Sequence, residues 1–317
     1  MTPTRSLVES SLLVGLAVVL FLAAQFLPVV GIAFSFLCPA PLVVMGLRHD
    51  LKKSILGAGV AAVLIMFFMG PIGALFFILG FGILGIGLGY LSKRLDHGVE
   101  ILLYGILISL GSKLVLMVVA SKVMGMNPFS IDPVEIENTM NKVFEFYAGK
   151  GLSPETIESM KQQMMVTLKM LPMVFPAILT LAASVDCYLS YVISRAVIHR
   201  IGSGTLPSLP SFDQWRFPKS IFWAFVVSIV FSLVGIQLGQ SSLVFRVGMN
   251  LKLLVNMLFL LQGLSAIWYY LSLRGVGKVL RWIVIIFVMF IPFLSTVALG
   301  IGIGDMWFDF RSRIRRE

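Results

Sequence analysis

The chain is patterned in long apolar runs with polar residues confined to the breaks between them. Residues 10–47 contain no charged side chain. A bilayer is crossed by about 20 apolar residues, so this run predicts two crossings joined near Val30. The same texture recurs to the end of the sequence. It predicts nine membrane segments, at 10–29, 32–47, 53–69, 72–92, 99–122, 169–196, 219–239, 246–273 and 279–304. A β-barrel would instead show short alternating segments. The expected fold class is therefore all-α, a polytopic transmembrane helical bundle. The second segment carries Pro39 and Pro41 and reads as broken or partly re-entrant, which is tolerated where backbone is buried in protein. The first run is too long for the apolar core of a signal peptide and is followed by further segments, so it is expected to be retained.

The polar breaks divide the chain. Residues 123–168 form the one sizeable extramembrane stretch. Asp132-Pro133 and Ser153-Pro154 each pair an N-cap residue with proline at the first helical position. They predict helices over 132–148 and 154–168, the second running into the sixth segment. Val134, Ile136, Met140, Val143, Phe144 and Tyr147 are spaced for one apolar face. The first helix is expected to lie on the outer membrane surface or cap the bundle, as a packed element or as a lid. Residues 201–218 are rich in Pro, Gly and Ser and mark a connection. The expected organisation is a bundle over 1–200 that includes 123–168, a cytoplasmic connection over 201–218, and a transmembrane extension over 219–317.

Charge adds orientation. Of 317 residues 58% are hydrophobic and 13% charged, with a net charge of +10. That excess tempts a nucleic-acid reading, but it sits in short loops beside apolar segments. Arg48, Lys52 and Lys53 follow the second segment, Lys93 and Arg94 the fourth, and Arg195, Arg200, Arg216 and Lys219 the sixth. Arg274, Lys278 and Arg281 follow the eighth. Basic loops of this kind stay cytoplasmic. They predict a multi-pass protein of the bacterial cytoplasmic membrane with its N-terminus inside, the lipid bilayer as its principal partner, and no nucleic-acid partner. One feature conflicts. Nine crossings place the tail outside, yet it carries Arg311, Arg313, Arg315 and Arg316. Either the last segment is a hairpin broken at Pro292, or one segment is miscounted.

Few residues suggest chemistry. GFGILG at 80–85 matches a dinucleotide fingerprint formally, but it lies inside an apolar helix without the preceding strand. Its glycines read as packing surfaces, with Gly82, Gly85 and Gly89 on one face and Gly80 and Gly87 on the opposite face. His49, His97 and His199 sit in basic loops without metal-ligand spacing and read as solvated. Cys38 and Cys187 read as small packing residues. No catalytic motif, metal site or cofactor is expected. Polar groups inside apolar segments say more, because an ionisable group at a helix centre costs about 2.5–3.5 kcal/mol to insert. Asp186 is the clearest, with Lys113 and Lys252 as charged partners to choose between and Asn250, Asn256 and Gln262 nearby in the eighth segment. Asp186, Lys113, Asn250, Lys252 and Asn256 are the ligand-site candidates, and a structural lock between helices is the competing reading of Asp186. Lys113 reads as nearer the outer face than Asp186, so their pairing would need side-chain reach or a bridging water. Trp307, Phe308, Phe310, Arg311 and Arg313 read as an interfacial anchor.

PSFDQWRFPKSIFWAF at 210–225 and GIGIGDMWFDFRSR at 300–313 resemble the YybS-like family of bacterial multi-pass membrane proteins, over nearly the whole length. The resemblance implies a membrane protein and no particular activity. Residues 1–200 also resemble the substrate-capturing S-components of energy-coupling-factor transporters. That family has about six helices, a proline-bearing second helix and outer loops that form the ligand site. The chain departs from it on the first helix. Ala17 is followed four residues later by Phe21, where the family carries small residues that dock a coupling subunit. Together these readings predict a transporter-like protein that binds, and in the fuller form translocates, a small or amphipathic ligand from the outer face. The alternative is a non-transporting scaffold that recruits a membrane or cytoplasmic protein partner.

Overall fold

The computed structural model describes residues 3–124, 133–149, 151, 153–201, 206–239 and 242–314. All the regular structure among them is helical: α1 (Pro3–Phe26), α2 (Gly31–Leu37), α3 (Ala40–Arg48), α4 (Leu51–Phe77), α5 (Ile83–Leu91), α6 (Gly98–Met124), α7 (Pro133–Ala148) and α8 (Pro154–Ile201), then α9 (Ser220–Gln237), α10 (Leu243–Leu273), α11 (Lys278–Phe290), α12 (Pro292–Phe308) and α13 (Phe310–Ile314). The chain forms two compact units. Unit 1 holds residues 1–128 and 179–209; unit 2 holds 129–178 and 210–317. The boundary differs from the one expected from sequence. α7 and the first half of α8 group with the C-terminal helices, not with the N-terminal bundle. Asp132 and the side chains of Val134 and Ile136, which carried part of the α7 expectation, lie outside the described residues.

In unit 1, α2 and α3 form a single apolar element, Gly31–Arg48, with more of its surface buried than any other candidate span. Pro39 caps α3 and Pro41 sits in its first turn, where a missing N–H costs nothing. Residues Ala40 to Gly46 are all buried, so this helix is the unit's axis. α1 packs along α4 through Val14, Ala17, Val18 and Phe21 against Ala58, Ala61, Ala62 and Ile65. Ala58, Ala61 and Ala62 on α4, with Ala17 on α1, allow that approach, and close packing of this kind favours helix association in lipid.

The element Leu51–Leu91 passes as one apolar span by length, at 41 residues. The chain nevertheless turns back on itself inside it. Gly70 has φ 71° and ψ −178°, a conformation closed to side-chain-bearing residues, and Pro71 follows. Ser54 near one end and Gly89 near the other both reach Gly46; a Cβ on Gly46 would lie 2.9 Å from Gly89 Cα and 3.6 Å from Ser54 Oγ. The two arms therefore run antiparallel. Between the reversal and α5, residues Ile78–Gly82 form a π-helix.

In unit 2, α9 and α10 are antiparallel. Gly235 meets the backbone of Phe245, and Gly248 meets Phe231 and Ser232. α10 and α12 touch backbone to backbone, Gly263 against Ala298 and Gly302 against Phe259. α11 and α12 are bent 104° apart. The break falls at Ile291, whose extended backbone precedes Pro292 at the first helical position. α11, at 13 residues, is about 20 Å long and too short to cross a bilayer. It starts at the end of unit 2 where α9 begins, and α12 finishes at that same end, where Arg216 pairs with Asp309 at 3.0 Å. The last apolar segment is thus a bent pair whose start and finish lie at the same end of unit 2, the end that also holds Arg311. Arg315, Arg316 and the side chain of Arg313 lie outside the described residues.

Length and composition alone give seven membrane-spanning helices, or eight with the bent pair. The expected nine is reached only by counting the reversal at Gly70 as well.

Candidate functional site

The site in unit 1 is built where α5, α6 and α8 pack. Gly105 on α6 makes room for Leu88 of α5 and Cys187 of α8; a Cβ there would lie 2.7 Å from the Cys187 sulfur and 2.8 Å from Leu88 Cδ2. Tyr191 of α8 donates to the Pro207 carbonyl at 2.7 Å, and Arg195 to the Leu206 carbonyl at 3.2 Å, tying the helix to the segment that follows it. The π-helix leaves carbonyls out of register with the ordinary ladder. Ser112 of α6 donates to one of them, that of Leu79.

One residue on, Lys113 faces α8. Its ammonium donates to Asp186 Oδ2 at 2.6 Å and to Ser109 Oγ at 2.8 Å, and Ser109 donates to the same carboxylate oxygen at 3.3 Å. Of the candidates for Asp186, Lys113 is therefore the partner, and the contact is direct where the sequence suggested that reach or a bridging water was needed. Asp186 lies 16 residues after the start of the apolar span 170–200 and 14 before its end, more than 20 Å along the helix from either end at about 1.5 Å per residue. The pair is buried without being sealed: 20% of the Lys113 side chain and 12% of the Asp186 side chain remain exposed. A carboxylate, an ammonium and a hydroxyl converge here, and no nucleophile–base pair accompanies them. Among the described residues no cluster of His, Cys, Asp and Glu could hold a metal.

Unit 2 holds a second ion pair with a different character. Arg311 meets Asp305 at 2.6 Å, and each side chain is only 2% exposed. The guanidinium also donates to Ser265 Oγ at 2.9 Å, to the Asp213 carbonyl at 2.8 Å and to the Trp215 carbonyl at 2.9 Å. Gln262 donates to Asp305 at 3.2 Å while accepting from Phe217 N–H at 3.1 Å. Asp309, in the left-handed region at φ 46°, ends α12 and turns Arg311 back into this network. The network fastens the 212–217 segment, α10 and the end of α12 together. An open groove of about 790 Å³ lies beside it, lined by Asp213, Gln214, Arg216, Tyr269 and Arg311; both of its arginines are already paired, Arg216 with Asp309 and Arg311 with Asp305.

Residues 15–306 match the family model described as predicted membrane protein, DUF2232. The chain belongs to this family. It is also similar to the uncharacterized protein YybS of Bacillus subtilis (strain 168), at 24% identity over 99% of this chain and 100% of the relative. No solved structure matches the chain. Membership of the DUF2232 family and the helical architecture together make this an integral, multi-pass membrane protein.

The remaining candidates in this DUF2232 chain fall elsewhere. Asn250, Lys252 and Asn256 belong to unit 2 and form no part of the Lys113–Asp186 cluster. Asn250 inserts its amide into α8, accepting from Ala177 N–H at 2.8 Å and donating to the Met173 carbonyl at 2.7 Å. These are the partners an unbroken helix would join to each other; Pro172 and Pro176 surround the site. Asn250 is thus committed to backbone repair. Lys252 is exposed, and Asn256 is half-buried. Gly85 and Gly89 press on α3, against Pro39, Leu42, Val43 and Gly46, while Gly87 presses on Ile108 of α6. Gly82 lies in the π-helix, and Gly80 faces open space. Trp307, Phe308 and Phe310 are exposed, but Arg311 is not: it is 3% exposed. Its burial follows from Asp305, six positions earlier, which offers the compensating charge. Sequence reasoning missed Asp305, though a carboxylate after GIGIG in an apolar segment was a visible signal. It also read His49 as solvated, whereas the ring is buried at 6% exposure.

Proposed function

We propose that the protein binds a small or amphipathic ligand from the outer face, in the manner of a transporter, and that the Lys113–Asp186 pair is its polar contact. The observation that carries this reading is the pair's residual exposure in the middle of apolar helices. A pair kept only to lock helices has no reason to stay open, and Arg311–Asp305 demonstrates how tightly this chain seals such a contact. An ionic or zwitterionic ligand can exchange with the pair, a carboxylate taking Lys113 or an ammonium taking Asp186, without leaving a charge stranded. The six-helix pattern implied by the S-component resemblance supports the same reading. On this proposal the N-terminus and the basic loops face the cytoplasm of a bacterial cell.

The test is a ligand-library thermal-shift screen on purified protein, since a ligand that binds only the folded state raises its stability. Hits on the wild type are expected to lose their shift in Asp186→Asn while the variant stays folded. Hits that stabilise Asp186→Asn equally would overturn the assignment and favour the non-transporting scaffold.

A further inference from the structure

The end of unit 1 where α1, α3, α4 and α5 converge carries a second polar cluster, independent of the proposed ligand site. His49 and Asp50 make the two-residue turn between α3 and α4. Arg48 is held by Glu9 of α1. His49 is buried; its Nδ1 lies 3.2 Å from Ser6 Oγ, and that hydroxyl accepts from Lys53 at 2.9 Å. Lys93, just past α5, donates to the His49 carbonyl. Two ammonium groups thus flank the turn, and among the described residues neither lies within ion-pair distance of a carboxylate. The other ring nitrogen, His49 Nε2, is buried and has no hydrogen-bond partner. Asp50, the N-cap of α4, makes no side-chain capping bond to the first N–H groups of the arm that runs to the reversal at Gly70.

Each of these features favours negative charge. Lys53 and Lys93 supply two positive charges against the one negative charge of Asp50, and the 51–69 arm of α4 places the positive end of its dipole at the same turn. When the ring is protonated both nitrogens are donors whichever tautomer faces Ser6, and the Nε2–H then has no acceptor within the protein. We propose that this turn is a binding site for a phosphate-bearing anion, with Lys53, Lys93 and His49 as its contacts. Phosphate oxygens suit both ammonium groups and helix N–H groups, and the site sits beside the membrane, where anionic lipid headgroups carry the same chemistry. Occupancy is coupled to protonation. The free imidazole is held below its ordinary pKa of 6.5 by burial first, then by Lys53, Arg48 and Lys93, with Asp50 opposing them. Glu9, the remaining charge facing the turn, is committed to Arg48. A bound anion offsets the lysine charges and moves the titration upward.

The test uses full-length protein with His97 and His199, both exposed, replaced by asparagine, so that the imidazole signal in nuclear magnetic resonance reports His49 alone. In nanodiscs of phosphatidylcholine, added inorganic phosphate is compared with replacement of part of the lipid by phosphatidylglycerol. The expected result is an upward shift of the His49 titration by about one unit, a tenfold change in proton affinity. A shift with inorganic phosphate identifies a soluble anion; a shift with phosphatidylglycerol alone identifies a lipid headgroup. Lys53→Ala with Lys93→Ala should abolish the anion-dependent shift, and Lys52→Ala, next door on α4, should leave it. No shift with either anion, or a shift that survives the double substitution, overturns the proposal.

Discussion

Lys113–Asp186 and Arg311–Asp305 have the same ion-pair distance, 2.6 Å, and opposite surroundings. The first keeps 20% and 12% of its side chains exposed and shares only one hydroxyl, that of Ser109. The second is 2% exposed on both sides and is tied to two backbone carbonyls, a serine and a glutamine. The difference is in what each charge would lose on separation. In the sealed network the guanidinium also holds segments that are far apart in sequence, 213–215 and Ser265, so the pair behaves as a fastener. In the open cluster the partners lose little by exchanging one another for a ligand of matching charge. A buried ion pair by itself identifies neither role; exposure and the number of committed hydrogen bonds separate them.

The largest effect is expected in the sealed network. Arg311→Ala strands Asp305 and releases the 212–217 segment, and breaking one partner of a buried pair costs about 3–5 kcal/mol. Denaturant unfolding in detergent measures it; a loss below about 1 kcal/mol, the level of a surface pair, would show that the network is not a fastener. Next comes packing near the open cluster. Gly85→Leu forces a Cβ to within 2.8 Å of Pro39 O and Leu42 Cβ, an overpacking expected to cost about 1–3 kcal/mol. Gly80→Ala, facing open space, should be near neutral by the same assay. The smallest effect belongs to the open pair. Lys113→Met and Asp186→Asn should each cost about 1–2 kcal/mol, with the double substitution recovering part of it in a double-mutant cycle. A coupling as large as that of Arg311 with Asp305 would erase the distinction between the two pairs.

The sequence made some of this legible. Long uncharged runs determine a helical membrane bundle, because no other chain satisfies its backbone in lipid as cheaply. Asp186 and Lys113 stood out because an ionisable group in an apolar run needs a reason. Sequence does not choose between Lys113 and Lys252 as the partner of Asp186, since helical periodicity gives the face a residue occupies but not which neighbour meets it. Arg311 was misread for a related cause. Next to Trp307 and Phe308 it has the composition of an interfacial anchor, and only the left-handed turn at Asp309 directs it inward. Asn250 looked like a ligand contact, and its actual partners, Met173 and Ala177, are set by two prolines more than 70 positions away in sequence. The arginine-rich tail conflicts with nine crossings, and the 104° bend at Ile291-Pro292, which bears on that count, has no signal in composition beyond the proline itself. Such long-range pairings leave no local trace in composition or period.

The most direct test sets Asp186→Asn beside Asp305→Asn in one assay, reading unfolding stability and ligand-induced thermal shift on each protein. Asp186→Asn is expected to stay within about 2 kcal/mol of wild type and to lose the ligand shift. Asp305→Asn is expected to lose about 3–5 kcal/mol and to keep the shift in whatever fraction remains folded. If Asp186→Asn unfolds as readily as Asp305→Asn and the ligand shift survives in it, the open pair is a second fastener and the proposed site is wrong.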